Sequence, residues 1–210
     1  MIIRALILGL STLVATLPGR AQSPWDQSPT STPFEANVSS GESIGSEQVR
    51  RVNIVVGTNE FAFVVPRGLN LRVDASQPGR LIISCLDSSY FVTVRLLRGA
   101  SQGSGEIDLT STFRNIVLAE YEGASGLEES TLTADGNTGP AFEAEWYAVG
   151  KLRRIIHVAF IPTKAGTMEF SLVTDPKTSS EAKTALSALM MTLRSNKHGK
   201  IEHLVLTDKT

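Results

Sequence analysis

The stretch Phe142-Glu-Ala-Glu-Trp-Tyr-Ala-Val-Gly150-Lys-Leu-Arg-Arg-Ile-Ile-His-Val-Ala-Phe-Ile161 decides the fold. Two extended runs, rich in β-branched and aromatic residues, flank Gly150-Lys151. Gly supplies the positive φ that the first position of a type II′ turn demands, so the stretch is expected to be a β-hairpin. A two-residue turn there sets the register: Val149 faces Leu152, Tyr147 faces Arg154, Trp146 faces Ile155 and Ala144 faces His157. One face then carries Phe142, Ala144, Trp146, Ile155, His157 and Ala159. The other carries Glu143, Glu145, Tyr147, Arg154, Ile156, Val158 and Phe160. Both faces are apolar toward the second half of the hairpin, so the sheet is expected to be covered on both sides.

Working outward, the segments Val52–Val56, Glu60–Val65, Leu69–Val73, Leu81–Leu86, Tyr90–Leu97, Glu128–Ala134 and Met168–Val173 read as further strands separated by turn residues. Leu109, Phe113, Ile116, Val117 and Tyr121 recur at helical spacing, with Asp108 as an expected N-cap and Gly123 as an expected stop. Ala182, Leu186, Leu189, Met190 and Leu193 form the stripe of a second helix, Ser179 to Arg194, with Thr178 or Ser179 as cap. Hairpins dominate, so the expected fold is α+β: a mainly antiparallel β-sheet sandwiched by two amphipathic helices.

Residues 1–21 read as a signal peptide. Arg4 is followed by an apolar run from Ala5 to Leu17, then by Pro18-Gly19 and the small-residue pair Gly19 and Ala21. That run is shorter than the roughly 20 residues needed to span a bilayer. Export to the periplasm or the extracellular space is therefore expected, with no stable membrane anchor after cleavage. Residues 22–49 read as a flexible linker, with Trp25 and Phe34 isolated in it as short docking points for a partner or as incidental. Residues 50–196 form the folded domain, and 197–210 a C-terminal tail containing Leu204-Val205-Leu206.

Composition removes several function classes. The chain has 210 residues, 20 Lys+Arg and 21 Asp+Glu, a formal net charge of −1. No basic field exists to hold nucleic acid. One Cys makes no internal disulfide, and Cys85, inside Leu-Ile-Ile-Ser-Cys-Leu, is expected to be a buried small hydrophobe. His198 and His203 lie in the tail and His157 in a strand, so no metal site and no cofactor is implied.

The strand–helix order and the local pattern Phe61-Ala-Phe-Val-Val-Pro66-Arg-Gly68 resemble the PsbP-like family, which includes the extrinsic photosystem protein PsbP and Ran-binding Mog-type proteins. A Gly-led strand, Gly166 to Leu172, entering a helix that ends in Leu193-Arg194-Ser195, is also similar. The resemblance covers about residues 50–196. It implies a compact α/β/α sandwich that binds other proteins and is seldom catalytic. No metal-binding, photosystem or Ran-binding residues of that family match positions here.

The expected function is thus an exported, non-catalytic protein-binding or assembly module, its partner another envelope or secreted protein. The expected binding residues are Tyr147, Arg154, Glu145, Trp146 and His157, where aromatic and Arg side chains concentrate. Two alternatives come from other classes. Gly99-Ala-Ser101-Gln-Gly103 reads G-x-S-x-G by letter, so Ser101 with His157 gives a serine-type hydrolase. A groove between sheet and helix gives a carrier of a small apolar ligand.

Overall fold

The computed structural model describes residues 31–44, 47–65, 71–77, 79–85, 87, 89–98, 109–148 and 152–196. In chain order the strands are β1 (Glu35–Ile44), β2 (Glu47–Val56), β3 (Asn59–Val64), β4 (Leu71–Gln77), β5 (Arg80–Cys85), β6 (Tyr90–Leu97), β7 (Ser125–Ala134), β8 (Asn137–Ala148), β9 (Leu152–Thr163), β10 (Gly166–Thr174) and β11 (Arg194–Ser195). Helix α1 (Leu109–Glu120) follows β6, and α2 (Ser179–Met191) follows β10. A seven-stranded sheet runs β4-β5-β6-β10-β9-β8-β7, and a four-stranded sheet runs β1-β2-β3-β11. Every ladder is antiparallel.

The expected layers are present, with one addition. On one face of the large sheet, α1 lays Phe113 and Val117, with Tyr121 just past its end, against Phe142, Ile156, Val158 and Phe160. Phe113 stacks on Phe160 at 4.3 Å between ring centroids. On the other face, α2 lays Ala182, Leu186, Leu189 and Met190 against the sheet, and Leu193 follows just past its end. The small sheet shares that second face, contributing Val52, Ile54, Phe61 and Phe63 to the same core. Residues of the two predicted helical stripes therefore supply the buried faces, because burying one stripe is what an amphipathic helix gains from a sheet.

The hairpin register differs from expectation by one residue. Ala148 pairs with Leu152, Tyr147 with Arg153, Trp146 with Arg154, Ala144 with Ile156 and Glu143 with His157. Three residues, 149–151, therefore separate the paired ends instead of two. They lie outside the described residues. Strand side chains alternate, so this slip moves every β9 residue to the opposite face from the one expected. Phe142, Ala144 and Trp146 share a face with Arg154, Ile156 and Val158. Glu143, Glu145 and Tyr147 share the other with Arg153, Ile155 and His157.

The segment read as a linker over 22–49 contains β1 and the start of β2. Glu35, Asn37, Val38 and Ser39 are exposed, which gives this edge strand the composition of a disordered lead. Its backbone is nonetheless paired to β2, Val38 opposite Val52. Phe34, read as isolated, is buried in the main core. Immediately before it, Thr32 N donates to Leu96 O at 2.7 Å. Ordered pairing among the described residues thus extends N-terminally of residue 50, back to Ser31. Helix α2 stops at Met191 instead of Arg194, because Arg194 and Ser195 leave to pair with Ala62 and Phe61. Thr178 occupies the N-cap position of α2 without a side-chain cap bond. Cys85 is a free, half-buried thiol packed against the core, less enclosed than expected. Gly123 takes φ +80° just past α1, as a helix stop should. Asp108, Pro66-Arg67-Gly68, Trp25, the leader and the tail lie outside the described residues.

Candidate functional site

The five expected binding residues do not form one patch. Tyr147, Glu145 and His157 are on the α2 side of the hairpin, whereas Trp146 and Arg154 are on the α1 side. Trp146 meets Tyr121 edge-on at 5.3 Å and donates its Nε1 hydrogen to Glu122 O at 3.2 Å. Arg154 faces Asp175 at 3.6 Å. Glu145 bonds Arg153, whose Nε lies 3.0 Å from Oε2. The hydrogen bond from Arg153 holds the Glu145 carboxyl below the ordinary carboxylate range. Arg154, expected on the same face as Glu145, lies on the other face because of the register.

The observed β8–β9 register, unlike the expected one, puts Glu143 and His157 on one face, and Lys183 of α2 meets them there. His157 Nδ1 is 3.3 Å from Glu143 Oε2. Lys183 Nζ donates to both Glu143 oxygens at 2.9 Å. Burial pushes the His157 pKa down to about 4; Lys183 acts in the same direction and Glu143 against it. The imidazole is therefore neutral near pH 7. Its Nδ1 hydrogen is assigned to the Glu143 carboxylate, which leaves Nε2 as an acceptor. Nε2 is buried and has no hydrogen-bond partner among the described residues. A cleft of about 190 Å³ opens beside it, between α2 and the β7–β8–β9 end of the sheet, with Ser130, Leu132 and Leu186 in its walls. Ser101 lies outside the described residues.

Tyr147 projects from the same face of the sheet, 53% exposed. The surface thus combines an aromatic side chain, a Glu145–Arg153 ion pair and a small cleft.

Sequence reasoning missed a second polar cluster, on the α1 side. Arg95 of β6 and Glu169 of β10 are directly opposite. Arg95 Nη2 lies 2.6 and 2.8 Å from the two Glu169 oxygens, and also bonds Glu120 at the end of α1. Ser171 Oγ donates to Glu169 Oε1 at 2.6 Å. The Glu169 side chain is 1% exposed. Burial pushes its pKa up, and Arg95 opposes that shift. Its signal was a lone charge inside each of two apolar runs, Thr-Val-Arg95-Leu-Leu and Thr-Met-Glu169-Phe-Ser. Only the β6–β10 pairing shows that they meet.

A larger cavity, about 540 Å³, lies at the end of the sandwich between Phe61, Ile161, Leu193 and Lys164. Beside it, Asp135 Oδ2 accepts from Ser195 N at 2.9 Å and from Ser195 Oγ, tying the β7–β8 turn to β11. No group of three or more potential metal-ligating side chains exists among the described residues.

Neither a family model nor a curated protein sequence matches the chain. Solved structures do. The chain is similar to the solution structure of cyanobacterial PsbP from Synechocystis, with 14% identity and a TM-score of 0.48, covering 75% of this chain and 98% of that one. It is also similar to a Pseudomonas aeruginosa protein of unknown function described as a putative regulator (13%, TM-score 0.35, 74% and 96% covered). A third is LpqN of Mycobacterium tuberculosis, described as involved in cell envelope biogenesis (11%, TM-score 0.34, 78% and 91% covered). A PsbP structure is thus among those the chain is similar to.

Proposed function

We propose that the chain is an exported, non-catalytic binding module whose protein partner docks on the α2 side of the β7–β8–β9 end of the large sheet. Tyr147 carries this reading: a tyrosine half exposed on a rigid strand, beside the Glu145–Arg153 pair, offers large contact area at low entropic cost. The export half of the reading rests on residues 1–21. No helix among the described residues is long and apolar enough to cross a membrane. The test places a photo-crosslinking phenylalanine analogue at Tyr147 in producing cells and separates the compartments. A covalent adduct of defined mass in the exported fraction is expected. Lack of any adduct at this position, or retention of the chain inside the cell, overturns the reading.

The carrier reading is supported by one observation, the end cavity with Phe61, Ile161 and Leu193 in its walls. Native mass spectrometry separates the two: a small-molecule adduct lost on Phe61→Trp is the carrier's result.

A further inference from the structure

We propose that the open edge of β7 takes up one extended, cationic segment of the partner as an additional strand. The inference rests on the binding reading above and names the mode of docking.

Among the described residues β7 is hydrogen-bonded to β8 alone and terminates the seven-stranded sheet. In an antiparallel ladder, alternate residues of such a strand point both N–H and C=O away from the sheet, where another strand can pair with them. The pairing with β8 shifts between Ser125 and Glu128 and is regular from Glu128 to Ala134. Every residue from Glu128 to Thr133 is exposed. The edge is therefore long, regular and, among the described residues, uncovered, the requirement for strand addition.

Charge decides what fits. Glu128 lies directly opposite Glu143 in the ladder, an unfavourable pairing of like charges. Glu143 is compensated by Lys183 and faced by His157. Glu129, on the other side of the strand, is 3.1 Å from Arg114. Glu128 has no cation within 4 Å among the described residues. A Lys or Arg on an added strand would fill that deficit from the one side still open. On the same side Leu132 is exposed at the mouth of the cleft. Glu128 and Leu132 are four apart on one face, so the favoured segment carries a cation and an apolar residue four positions apart. A second copy of β7 brings Glu128 and Glu129 of each copy to one seam, and is disfavoured.

The probe is a ten-residue peptide of threonines with Lys at its third and Val at its seventh position, added to the full chain. Its controls carry Glu for Lys, or proline at the fifth position. Backbone amide exchange is read by NMR and affinity by titration. The expected result is exchange slowed about tenfold at outward-facing β7 amides, with neither control binding comparably. Glu128→Lys turns one cross-strand attraction into repulsion; it should weaken the Lys peptide about tenfold and strengthen the Glu peptide. That variant keeps its fold, because the new ammonium faces Glu143. Peptide protection confined to Tyr147 and Arg153 overturns strand addition while leaving the binding reading intact. Protection of β7 with no crosslink at Tyr147 does the reverse. A dimer protecting β7 without peptide, or no binding at about 1 mM peptide, overturns the inference.

Discussion

Acid should loosen this fold through His157. Its ordinary pKa of 6.5 falls to about 4 in the folded chain, first because the ring is buried and further because Lys183 is near. A depressed folded pKa means the unfolded chain binds the extra proton first as pH drops. The stabilisation is therefore complete above pH 6.5 and is lost as pH falls toward 4. One proton over a gap of about 2.5 pH units gives a ceiling of about 3 kcal/mol; the proximity of Glu143 and partial solvent access reduce this to about 2 kcal/mol. Glu169 works in the opposite sense, since its pKa is raised: its contribution is present below pH 4.5 and is lost as pH rises. The assay must therefore subtract. Urea unfolding of the wild type and of His157→Asn, whose amide can still donate to Glu143, is measured at pH 7 and at pH 4.5 with the slope held to account. The wild type should lose about 2 kcal/mol more than the variant between those two conditions. Equal losses, or a native-state NMR titration of His157 centred near 6.5, would refute the account of a buried neutral imidazole held by Glu143.

Three further outcomes test other parts of the structure. Arg95→Ala strands the buried Glu169 carboxylate and should destabilise by about 3 kcal/mol, whereas the double change Arg95→Met with Glu169→Leu should recover most of that loss, read by chemical denaturation. Phe34→Ala should cost about 3 kcal/mol by thermal unfolding, a loss that a side chain in a flexible lead would not show. A Cβ on Gly139 would come within 1.7 Å of the Phe160 carbonyl oxygen, so Gly139→Ala should reduce soluble yield and melting temperature sharply. The same change at Gly57, where φ is +58° and nothing lies within 4 Å, should cost only about 1 kcal/mol.

The elements that were legible are those whose information is local. The α2 stripe from Ala182 to Met190 is buried as its spacing requires, and Tyr90–Leu97 is a strand over its full predicted length. The β8–β9 hairpin was legible as a hairpin, yet not in its register, which depends on one residue of loop length. That single residue decided whether His157 shared a face with Trp146 or with Glu143. Residues 35–44 were illegible because an edge strand with a wet face has the composition of a linker. Phe34 alone signalled otherwise. The Arg95–Glu169 pair could not be seen because β6 and β10 are separated by α1 and three strands. Of the predicted site, Tyr147, Glu145 and His157 share a face, while Lys183, Arg153 and Glu128 entered only through pairing and packing.

The strand order also constrains when the chain can fold. β6, inside the large sheet, has β10 as its neighbour, and among the described residues the outer side of β3 is closed by Arg194 and Ser195. Loop closure over such separations makes folding slow relative to local structure. An N-terminal portion emerging from the ribosome can form hairpins but cannot complete either sheet. A chain carrying the leader proposed above would stay threadable through a translocation pore until its last strand had been made.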